Sequence, residues 1–420
     1  MGRIFYPVAS ALFIVLMVIS PVAAETKELT LEQAITIAIE KHPELAAASF
    51  EVKAKGAKIV QSGVLQNPQL EFGMDNFGGS RDRQGFVEAE FSWSVSQQVE
   101  LGGKRTKRVR AASIDRDISR WDYEAKKLDV INETTKMFID VVAAQEKLIV
   151  SEELYRLAEH SFNTASARVQ AGKASPIDEV KASVELAKAN LELERTKGSL
   201  IAARKRLAFA LGDSGTPFSK ADYQLKVGPS DMSLEQIETL ANKNPDVIKW
   251  DTEIAQREAA LSLEKANRIP DPSISGGIKR FNGKETALIF GMSVPLPFFN
   301  LNSGAVAEAE NRLEKAKKER EAAHLKTKTL LADAYLALSG AMSEAAALKD
   351  KILPSLQRAY ESVHEGYKYG KFGHLEFLDA QRTLFESKKQ YIESLVSYSK
   401  AAADIERLTG AGPNIHQSGQ

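Results

Sequence analysis

Residues 87–105 read VEAEFSWSVSQQVELGGKR, and they decide the fold because a strand pattern passes directly into a helix pattern. Apolar residues occupy alternate positions of the first half, namely Val87, Ala89, Phe91, Trp93 and Val95. This alternation predicts a strand over about residues 86–99 with one apolar and one polar face. After Gly102-Gly103, Lys104 to Gln170 contains neither proline nor glycine. That stretch predicts one helix roughly 100 Å long, at about 1.5 Å per residue.

The long helix carries a coiled-coil pattern and is followed by a return helix. Its apolar residues keep a three-four spacing that is broken only at Ser151. These residues are Val141, Ala144, Leu148, Tyr155, Ala158, Phe162, Ala165 and Val169. Such spacing predicts packing against neighbouring helices. Gly172 ends the long helix, and Ser175-Pro176 begins the return helix.

The chain contains the same order of elements twice. Leu31-Glu32-Gln33 corresponds to Leu234-Glu235-Gln236, and Gly172-Lys173 corresponds to Gly370-Lys371. The offset stays at roughly two hundred residues, which indicates duplication of a domain-sized unit rather than a short solenoid repeat.

The two repeats predict matching elements. The first repeat, 25–212, is predicted to contain a short opening helix, strands at about 69–77 and 86–99, and long helices at about 104–170 and 176–212. The second repeat, 232–410, is predicted to contain strands at about 273–281 and 285–296, and helices at about 304–368 and 374–409. A linker at 213–231 joins them, and a flexible tail follows at 411–420. Pro354 predicts a bend in the second long helix.

The N-terminal residues have the pattern of a secretory signal. Arg3 precedes an apolar run from Val8 to Ile19 and the small residues Val22-Ala23-Ala24, which predicts a cleaved signal over 1–24. An uncleaved anchor is the alternative, but the run is shorter than the roughly 20 residues that a span needs. The absence of cysteine excludes disulfides, thiolate metal ligands and acylation of a cysteine. The 56 basic and 56 acidic residues balance, so no nucleic-acid partner is expected.

The predicted strands have the length of membrane-crossing strands. Four strands of about ten residues cannot close a barrel, since the smallest known barrels have about eight strands. An open edge is not tolerated in lipid, so several chains must contribute. Three chains giving twelve strands is the simplest solution, and two or four chains remain open. The alternative is a half-buried sheet of a soluble protein lying on a helical bundle.

Short motifs along the first repeat occur in a recognisable order: Leu29-Thr30-Leu31-Glu32-Gln33-Ala34, His42-Pro43-Glu44-Leu45 and Asn67-Pro68-Gln69-Leu70. They resemble the opening helix, helix break and first strand of the TolC-type outer-membrane efflux family, and the resemblance covers nearly all of the mature chain. The stretch Gln98–Arg105, QVELGGKR, is similar to the heavy-metal branch of that family. This branch comprises outer-membrane components of cobalt-zinc-cadmium and copper-silver exporters.

The resemblance implies a mostly α protein with a membrane β-barrel. Three chains would form one twelve-stranded barrel in the outer membrane and a tunnel of coiled-coil-like helices through the periplasm. The implied partners are outer-membrane lipid, a periplasmic membrane-fusion adaptor and an inner-membrane, proton-driven pump of the RND type. The implied function is passive export of heavy-metal cations, without catalysis or a cofactor. Export of drugs or other small molecules is one alternative, and a secreted coiled-coil structural or adaptor protein is another.

The two helical turns contain the candidate functional residues. By the resemblance, these tips contact the adaptor through Gly172, Lys173, Ser175, Asp178, Gly370, Lys371, Gly373 and Glu376. Threefold symmetry would repeat the carboxylates of Asp178, Glu376 and Asp379 as rings, and a carboxylate ring at a constriction attracts cations. The alternatives are structural, since the glycines supply left-handed turns and the carboxylates suit a solvated helix start.

The remaining polar residues show no catalytic or metal-binding pattern. Glu71, Asp75, Glu88 and Glu90 are predicted to line the barrel lumen, which any polar side chains would keep wet. The histidines have no ligand spacing, so no metal site is predicted. They are His42, His160, His324, His364, His374 and His416. Gly102-Gly103-Lys104 lacks the upstream glycine and the following Ser or Thr of a phosphate loop.

Overall fold

A computed structural model of the protein describes residues 27–212, 218–228 and 233–410. Their helices are α1 (Leu31–Lys41), α2 (Pro43–Ser62), α3 (Lys104–Gln170), α4 (Pro176–Ala210), α5 (Leu234–Ala241), α6 (Pro245–Ala266), α7 (Ser303–Ala347), α8 (Leu353–Lys368) and α9 (His374–Thr409). Their strands are β1 (Lys27–Thr30), β2 (Gln69–Asp75), β3 (Glu90–Gln98), β4 (Phe218–Asp222), β5 (Ser273–Phe281) and β6 (Glu285–Ser293). The predicted signal at 1–24, the tail at 411–420 and part of the predicted linker lie outside the described residues.

The first helical hairpin consists of α3 and α4, which pack along each other. The 67 residues of α3 give it a length of roughly 100 Å. Small residues such as Ala158 on α3 and Ala189 on α4 are buried. The Ser151 hydroxyl lies 3.0 Å from the Thr196 hydroxyl, and both residues are buried. Ser151, which interrupts the coiled-coil pattern, is therefore the site of a hydrogen bond between the two helices.

The second helical hairpin differs from the single long helix predicted over 304–368. After α7, residues Leu348–Ile352 form a π-helical turn, and α8 begins at Leu353. Pro354 gives the physical reason, because it has no N–H and its ring clashes with the carbonyl group four residues earlier. The wider π turn moves that carbonyl away from the ring. The chain thus accommodates the proline while α7 and α8 both remain packed on α9.

Each return helix ends against the start of another helix. The Asn244 side chain, at the start of α6, donates to the Arg407 carbonyl oxygen at 2.7 Å. The Arg407 guanidinium pairs with Asp246 at 2.6 Å, so α9 abuts α6. In the first repeat, a Cβ added to Gly212 would lie 2.9 Å from the Lys41 carbonyl oxygen. The end of α4 therefore approaches the junction of α1 and α2 closely.

Each repeat also has a hydrophobic core of its own. The first core groups buried residues of α1, α3 and α4 with β1 and β4, which pair in parallel. The second core groups buried residues of α5, α7 and α9. Burial of these apolar side chains is the main favourable term that holds each repeat together.

The four long strands form one antiparallel sheet in the order β2-β3-β5-β6. Phe72 lies opposite Trp93, Trp93 opposite Ile278, and Ile278 opposite Leu288. Because side chains alternate along a strand, these four residues share one face. That face is open, with Phe72 60% and Leu288 88% exposed. One hairpin from each repeat therefore contributes to a continuous apolar surface.

Three strand ends differ from the predicted bounds by two residues or more. β2 ends at Asp75 rather than 77, β3 begins at Glu90 rather than 86, and β6 ends at Ser293 rather than 296. Asn76 has a φ of 56°, which turns the chain out of β2. The two prolines after Ser293 cannot donate to a strand ladder. The prediction for Glu88 was wrong, because this residue lies in the turn before β3 and not on the polar strand face.

A buried ion pair joins the repeats where the sheet meets the long helices. The Lys104 ammonium donates to the Asp271 carboxylate at 2.7 Å and to the Ile269 carbonyl oxygen at 2.6 Å. The other Asp271 oxygen accepts the Leu101 N–H at 2.8 Å. The Lys104 and Asp271 side chains are 9% and 12% exposed. The link after β3 is therefore fixed to the link before β5.

We expect Asp271→Ala to lower the free energy of unfolding by about 3–5 kcal/mol, because it leaves the buried Lys104 ammonium without a counter-charge. The matched control is Glu194→Ala, which removes the partner of Lys197 from a pair whose side chains are 46% and 61% exposed. The loss of that exposed pair should cost less than about 1 kcal/mol. Urea unfolding of the two variants measures the difference. Equal losses would contradict the role given to the buried pair.

Candidate functional site

The first tip is the turn between α3 and α4. Gly172 has a φ of +68°, a left-handed conformation that favours glycine. Its N–H donates to the Val169 carbonyl oxygen at 2.9 Å, and the Lys173 N–H donates to that of Arg168 at 2.8 Å. These two bonds satisfy carbonyl groups at the helix end. The Ser175 side chain then caps the start of α4.

The second tip, between α8 and α9, has the same backbone geometry. Gly370 has a φ of +73°. Its N–H donates to the Tyr367 carbonyl oxygen at 3.1 Å, and the Lys371 N–H donates to that of Gly366 at 2.7 Å. Gly366 leaves room for a neighbouring ring, because an added Cβ would lie 2.2 Å from Phe372. The glycines at both tips therefore have a structural role in closing the helix ends.

The residues predicted to contact an adaptor are mostly exposed. The exposed ones are Gly172, Lys173, Ser175, Gly370, Lys371, Gly373 and Glu376. Asp178 differs, since it is half-buried and its charge acts on Tyr367 and His374 of the second hairpin. The structure therefore places Asp178 towards the contact between hairpins and leaves the other residues accessible.

The predicted gate carboxylates have different surroundings. Asp379 pairs with Arg382 at 3.0 Å, with both side chains 67% exposed, so its charge is partly balanced. Glu376 is exposed, and a Cβ added to Gly373 would lie 2.5 Å from its Oε2 atom. Within the described ranges, the acidic side chains near the start of α9 that form ion pairs are Asp379 and Glu386, and no ion pair involves Glu376. Glu376 thus presents an exposed, unbalanced charge at the start of α9.

A contact between Arg168 and Tyr367, which the sequence analysis missed, couples the two tips. The Arg168 guanidinium donates to the Tyr367 carbonyl oxygen at 3.0 Å. It also lies 4.9 Å from the centroid of the Tyr367 ring. A charged hydrogen bond of this kind contributes about 1.5–3 kcal/mol, and an exposed cation–π contact about 0.5–1 kcal/mol. The sequence signal for both residues is their position in the last helical turn before a tip glycine.

Five rings pack together next to the second tip: Tyr360, His364, Tyr367, His374 and Phe377. The Phe377 ring centroid lies 5.2 Å from that of Tyr367 and 5.4 Å from that of His364. The Tyr367 and His374 centroids are 5.5 Å apart. The spacing of four and three residues along α8, and of three along α9, puts these rings on facing helix surfaces. That spacing could have revealed this aromatic cluster from the sequence.

His374 is buried, and neither ring nitrogen has a hydrogen-bond partner among the residues that the structure describes. Burial lowers its pKa, and Lys181 and Arg168 act in the same direction, whereas Asp178 and Glu185 oppose the shift. Burial also lowers the pKa of His364, with a further contribution from Lys368. A neutral imidazole suits the aromatic cluster, whereas a proton on His374 would place a charge inside it.

The polar face of the sheet is less acidic than the sequence indicated. Glu71, Asp75 and Glu90 lie on this face, opposite to the apolar one. Lys279 of β5 pairs with Glu90 at 2.6 Å and with Asp75 at 3.3 Å. The sequence analysis missed this lysine because the cross-strand pairing brings it in from the other repeat.

The described residues contain neither a metal-binding cluster nor a membrane-spanning helix. No group of three or more histidine, aspartate or glutamate side chains in these ranges is arranged to hold a metal ion. No helix in the described part of the chain is long and apolar enough to cross a membrane.

The sequence profile of the family described as outer membrane efflux protein matches both repeats, at residues 34–213 and 237–411. The chain belongs to this efflux family. The predicted family is therefore confirmed, and the protein is an outer-membrane efflux component. Membership overturns the alternative of a secreted coiled-coil structural or adaptor protein.

Other proteins are similar to this chain in sequence or in fold. The chain is 31% identical to the cobalt-zinc-cadmium resistance protein CzcC of Cupriavidus metallidurans, covering 91% of this chain and 90% of that protein. It is 23% identical to the pyoverdine export outer membrane protein OpmQ of Pseudomonas putida, covering 91% and 86%. The CusC crystal structure matches with a TM-score of 0.78 at 18% identity, covering 91% and 92%. The fold is mostly helical, and these relatives are resistance and export proteins rather than enzymes.

We expect Arg168→Met to loosen the contact between the two tips of this efflux protein. Loss of the bond to Tyr367 should speed hydrogen exchange at the Gly370 and Lys371 amides by at least about tenfold. The matched control is Arg156→Met, because Arg156 bonds the Glu152 carbonyl of its own helix at 3.3 Å. Unchanged exchange at the second tip of the Arg168 variant would show that the contact does not hold the hairpins together.

His374→Phe should reduce the loss of stability on acidification. Because burial holds the pKa of folded His374 below the ordinary value of 6.5, the unfolded chain binds more protons between these two values. Stability therefore falls as the pH drops through that window. Phenylalanine keeps the ring packing and removes the titrating group. Urea unfolding at about pH 8 and about pH 5 tests this, and an equal loss in both proteins would exclude His374 as its source.

Proposed function

We propose that three copies of this chain form one passive channel through the outer membrane. The sheet carries this proposal, because its apolar face is open, with Phe290 79% exposed, and because β2 and β6 have free edges within the described residues. An unpaired edge is not tolerated in lipid, so pairing β6 of one copy with β2 of the next would satisfy the backbone. Three copies of four strands would close a twelve-stranded barrel whose apolar face meets lipid.

The arrangement of the helices supports the same assembly. α3 packs on α4 and α9, and α9 packs on α7 and α8, so α4 lies at one edge of this layer and α7 and α8 at the other. α4 carries exposed apolar residues with coiled-coil spacing, namely Ile177, Val180, Val184 and Leu191. This stripe suits packing against the α7–α8 edge of the next copy, which would close a periplasmic tunnel.

The hairpin tips are the proposed contact with a periplasmic adaptor, which joins the channel to an inner-membrane, proton-driven pump of the RND type. Accessible turns at Gly172-Lys173 and Gly370-Lys371 support this role, as does the half-exposed Phe372 ring beside the second turn. Opening of the tunnel would separate Arg168 from Tyr367, since these residues belong to different hairpins.

The cargo we propose is a heavy-metal cation. The support is the 31% identity to a cobalt-zinc-cadmium resistance protein, together with the QVELGGKR stretch at 98–105. A second candidate is a drug or another small molecule, favoured by the 23% identity to a pyoverdine export protein. In either case the conduit performs no covalent chemistry.

A deletion strain should lose resistance to cobalt, zinc and cadmium, because the proposed conduit is the exit for these cations. Growth is measured on these metals, on copper and silver, and on a panel of hydrophobic drugs. Complementation with the unaltered chain is the control. Sensitivity to the drugs alone would overturn the metal assignment and favour the second candidate.

Glu376→Gln should lower the preference of reconstituted channels for cations over anions, because a ring of three exposed carboxylates at a constriction attracts cations. Asp379→Asn should have a smaller effect, because Asp379 already pairs with Arg382. The control is Glu386→Gln, further along the same exposed helix face. Reversal potentials in a salt gradient measure the selectivity. An unchanged potential in the Glu376 variant would exclude a gate role for this residue.

A further inference from the structure

The link between β6 and α7, residues 294–302, leaves large apolar side chains uncovered. The exposed fractions are 66% for Leu296, 77% for Phe298, 102% for Phe299 and 57% for Leu301. An exposed apolar cluster of this kind marks an interaction site rather than a surface suited to water.

A second uncovered apolar cluster lies at the end of α2 and in the link to β2. Val60 is 73%, Val64 47% and Leu65 57% exposed. β2 and β6 are the two outer strands of the sheet and run in opposite directions, so the start of β2 and the end of β6 lie at the same end. If β6 of one copy pairs with β2 of the next, the two clusters become neighbours.

The chain contains an internal precedent for this contact. The link between β3 and α3 packs against the link between α6 and β5, where a Cβ added to Gly102 would lie 2.7 Å from Ile269 Cδ1. In the duplicated sequence, Asp271-Pro272 matches Asn67-Pro68, so Ile269 matches Leu65. The link after β6 is the counterpart of the link after β3, and its corresponding partner therefore belongs to another copy.

The link after β3 and the link after β6 differ in length and in composition. The link after β3 spans 99–103 and uses the Lys104–Asp271 ion pair, whereas the link after β6 spans 294–302 and is longer and mainly apolar. Asn67 occupies the position in the first repeat that Asp271 occupies in the second. A non-directional apolar contact suits two surfaces that meet only on assembly.

We propose that Phe298, Phe299 and Leu301 of one copy pack against Val64 and Leu65 of the next, forming an apolar seam between the barrel and the tunnel. This inference rests on the proposed trimer and deepens it by naming residues in contact. The seam joins α7 of one copy to α2 of the next and closes the gap between neighbouring copies below the paired strands.

The cysteine-free chain allows a direct test. Leu65→Cys is combined in turn with Phe298→Cys, Phe299→Cys and Leu301→Cys, and membranes are treated with a short bis-maleimide. A covalent dimer and trimer ladder with at least one pair is the expected result, since the side chains would be in contact. The control combines Leu65→Cys with Phe86→Cys, an exposed residue at the opposite end of the sheet, and should give no ladder.

Three results would overturn the seam. Trimers that form normally but give no ladder with any of the three pairs would refute it and leave the channel proposal intact. A nitroxide on Phe299→Cys that is as accessible to lipid-dissolved oxygen as one on Leu288→Cys would show that the link faces lipid instead. Absence of trimers in the unaltered protein would refute the channel proposal itself, and the seam with it.

A second measurement does not depend on cross-linking. Phe298→Ser combined with Phe299→Ser should lower the temperature at which trimers dissociate in detergent, because it removes apolar contact between copies. The matched control is Phe77→Ser with Phe86→Ser, a stacked pair between β2 and β3. Equal dissociation temperatures in the seam variant and the unaltered protein would contradict the proposal.

Discussion

The ion pair between Lys104 and Asp271 is the constraint on which the arrangement of the long elements depends. It lies where β3 passes into α3, and that helix continues for 67 residues. Over roughly 100 Å, a tilt of about 5° at this junction would displace the tip by about 9 Å. Burying an ion pair costs desolvation free energy, but its hydrogen bonds to fixed partners define one geometry. Arg108, which pairs with Glu100 at 2.6 Å and donates to the Ser62 carbonyl at 2.9 Å, ties α2 into the same junction.

The duplication produces equivalent backbones with unequal side chains. Both tips have the same pattern of hydrogen bonds after a left-handed glycine, because closing a helix end depends on local geometry. The first tip supplies the guanidinium of Arg168. The second tip supplies the Tyr367 carbonyl oxygen, which accepts its hydrogen bond, and the Tyr367 ring, which contacts it. Pro354 and its π turn occur in the second hairpin, whereas the first long helix is continuous. The two hairpins therefore contribute different halves of one contact.

Features set by neighbouring residues could be predicted from the sequence, whereas those set by distant residues could not. The family, the repeated order of elements and the tip glycines follow from motifs and turn chemistry. The sequence predicted that β6 would extend beyond Ser293, because apolar residues continue to alternate there. The pairing with β5 nevertheless stops at Ser293. The contact between Arg168 and Tyr367 joins residues of different repeats, so no local pattern contains it. The same holds for Lys279, which reaches Glu90 through the pairing of β3 with β5.

The contact between Arg168 and Tyr367 also determines how much free energy is needed to separate the two tips. Separating Arg168 from Tyr367 costs about 2–4 kcal/mol in each chain if the hydrogen bond and the cation–π contact are both lost. Three chains opening together would lose about 6–12 kcal/mol, while about 5.5 kcal/mol suffices to move a two-state equilibrium from 1:99 to 99:1. In the proposed channel, these contacts would therefore favour the closed state. The proposed adaptor would open it only by binding the separated tips more strongly than the joined ones, since a partner with equal affinity for both states shifts nothing.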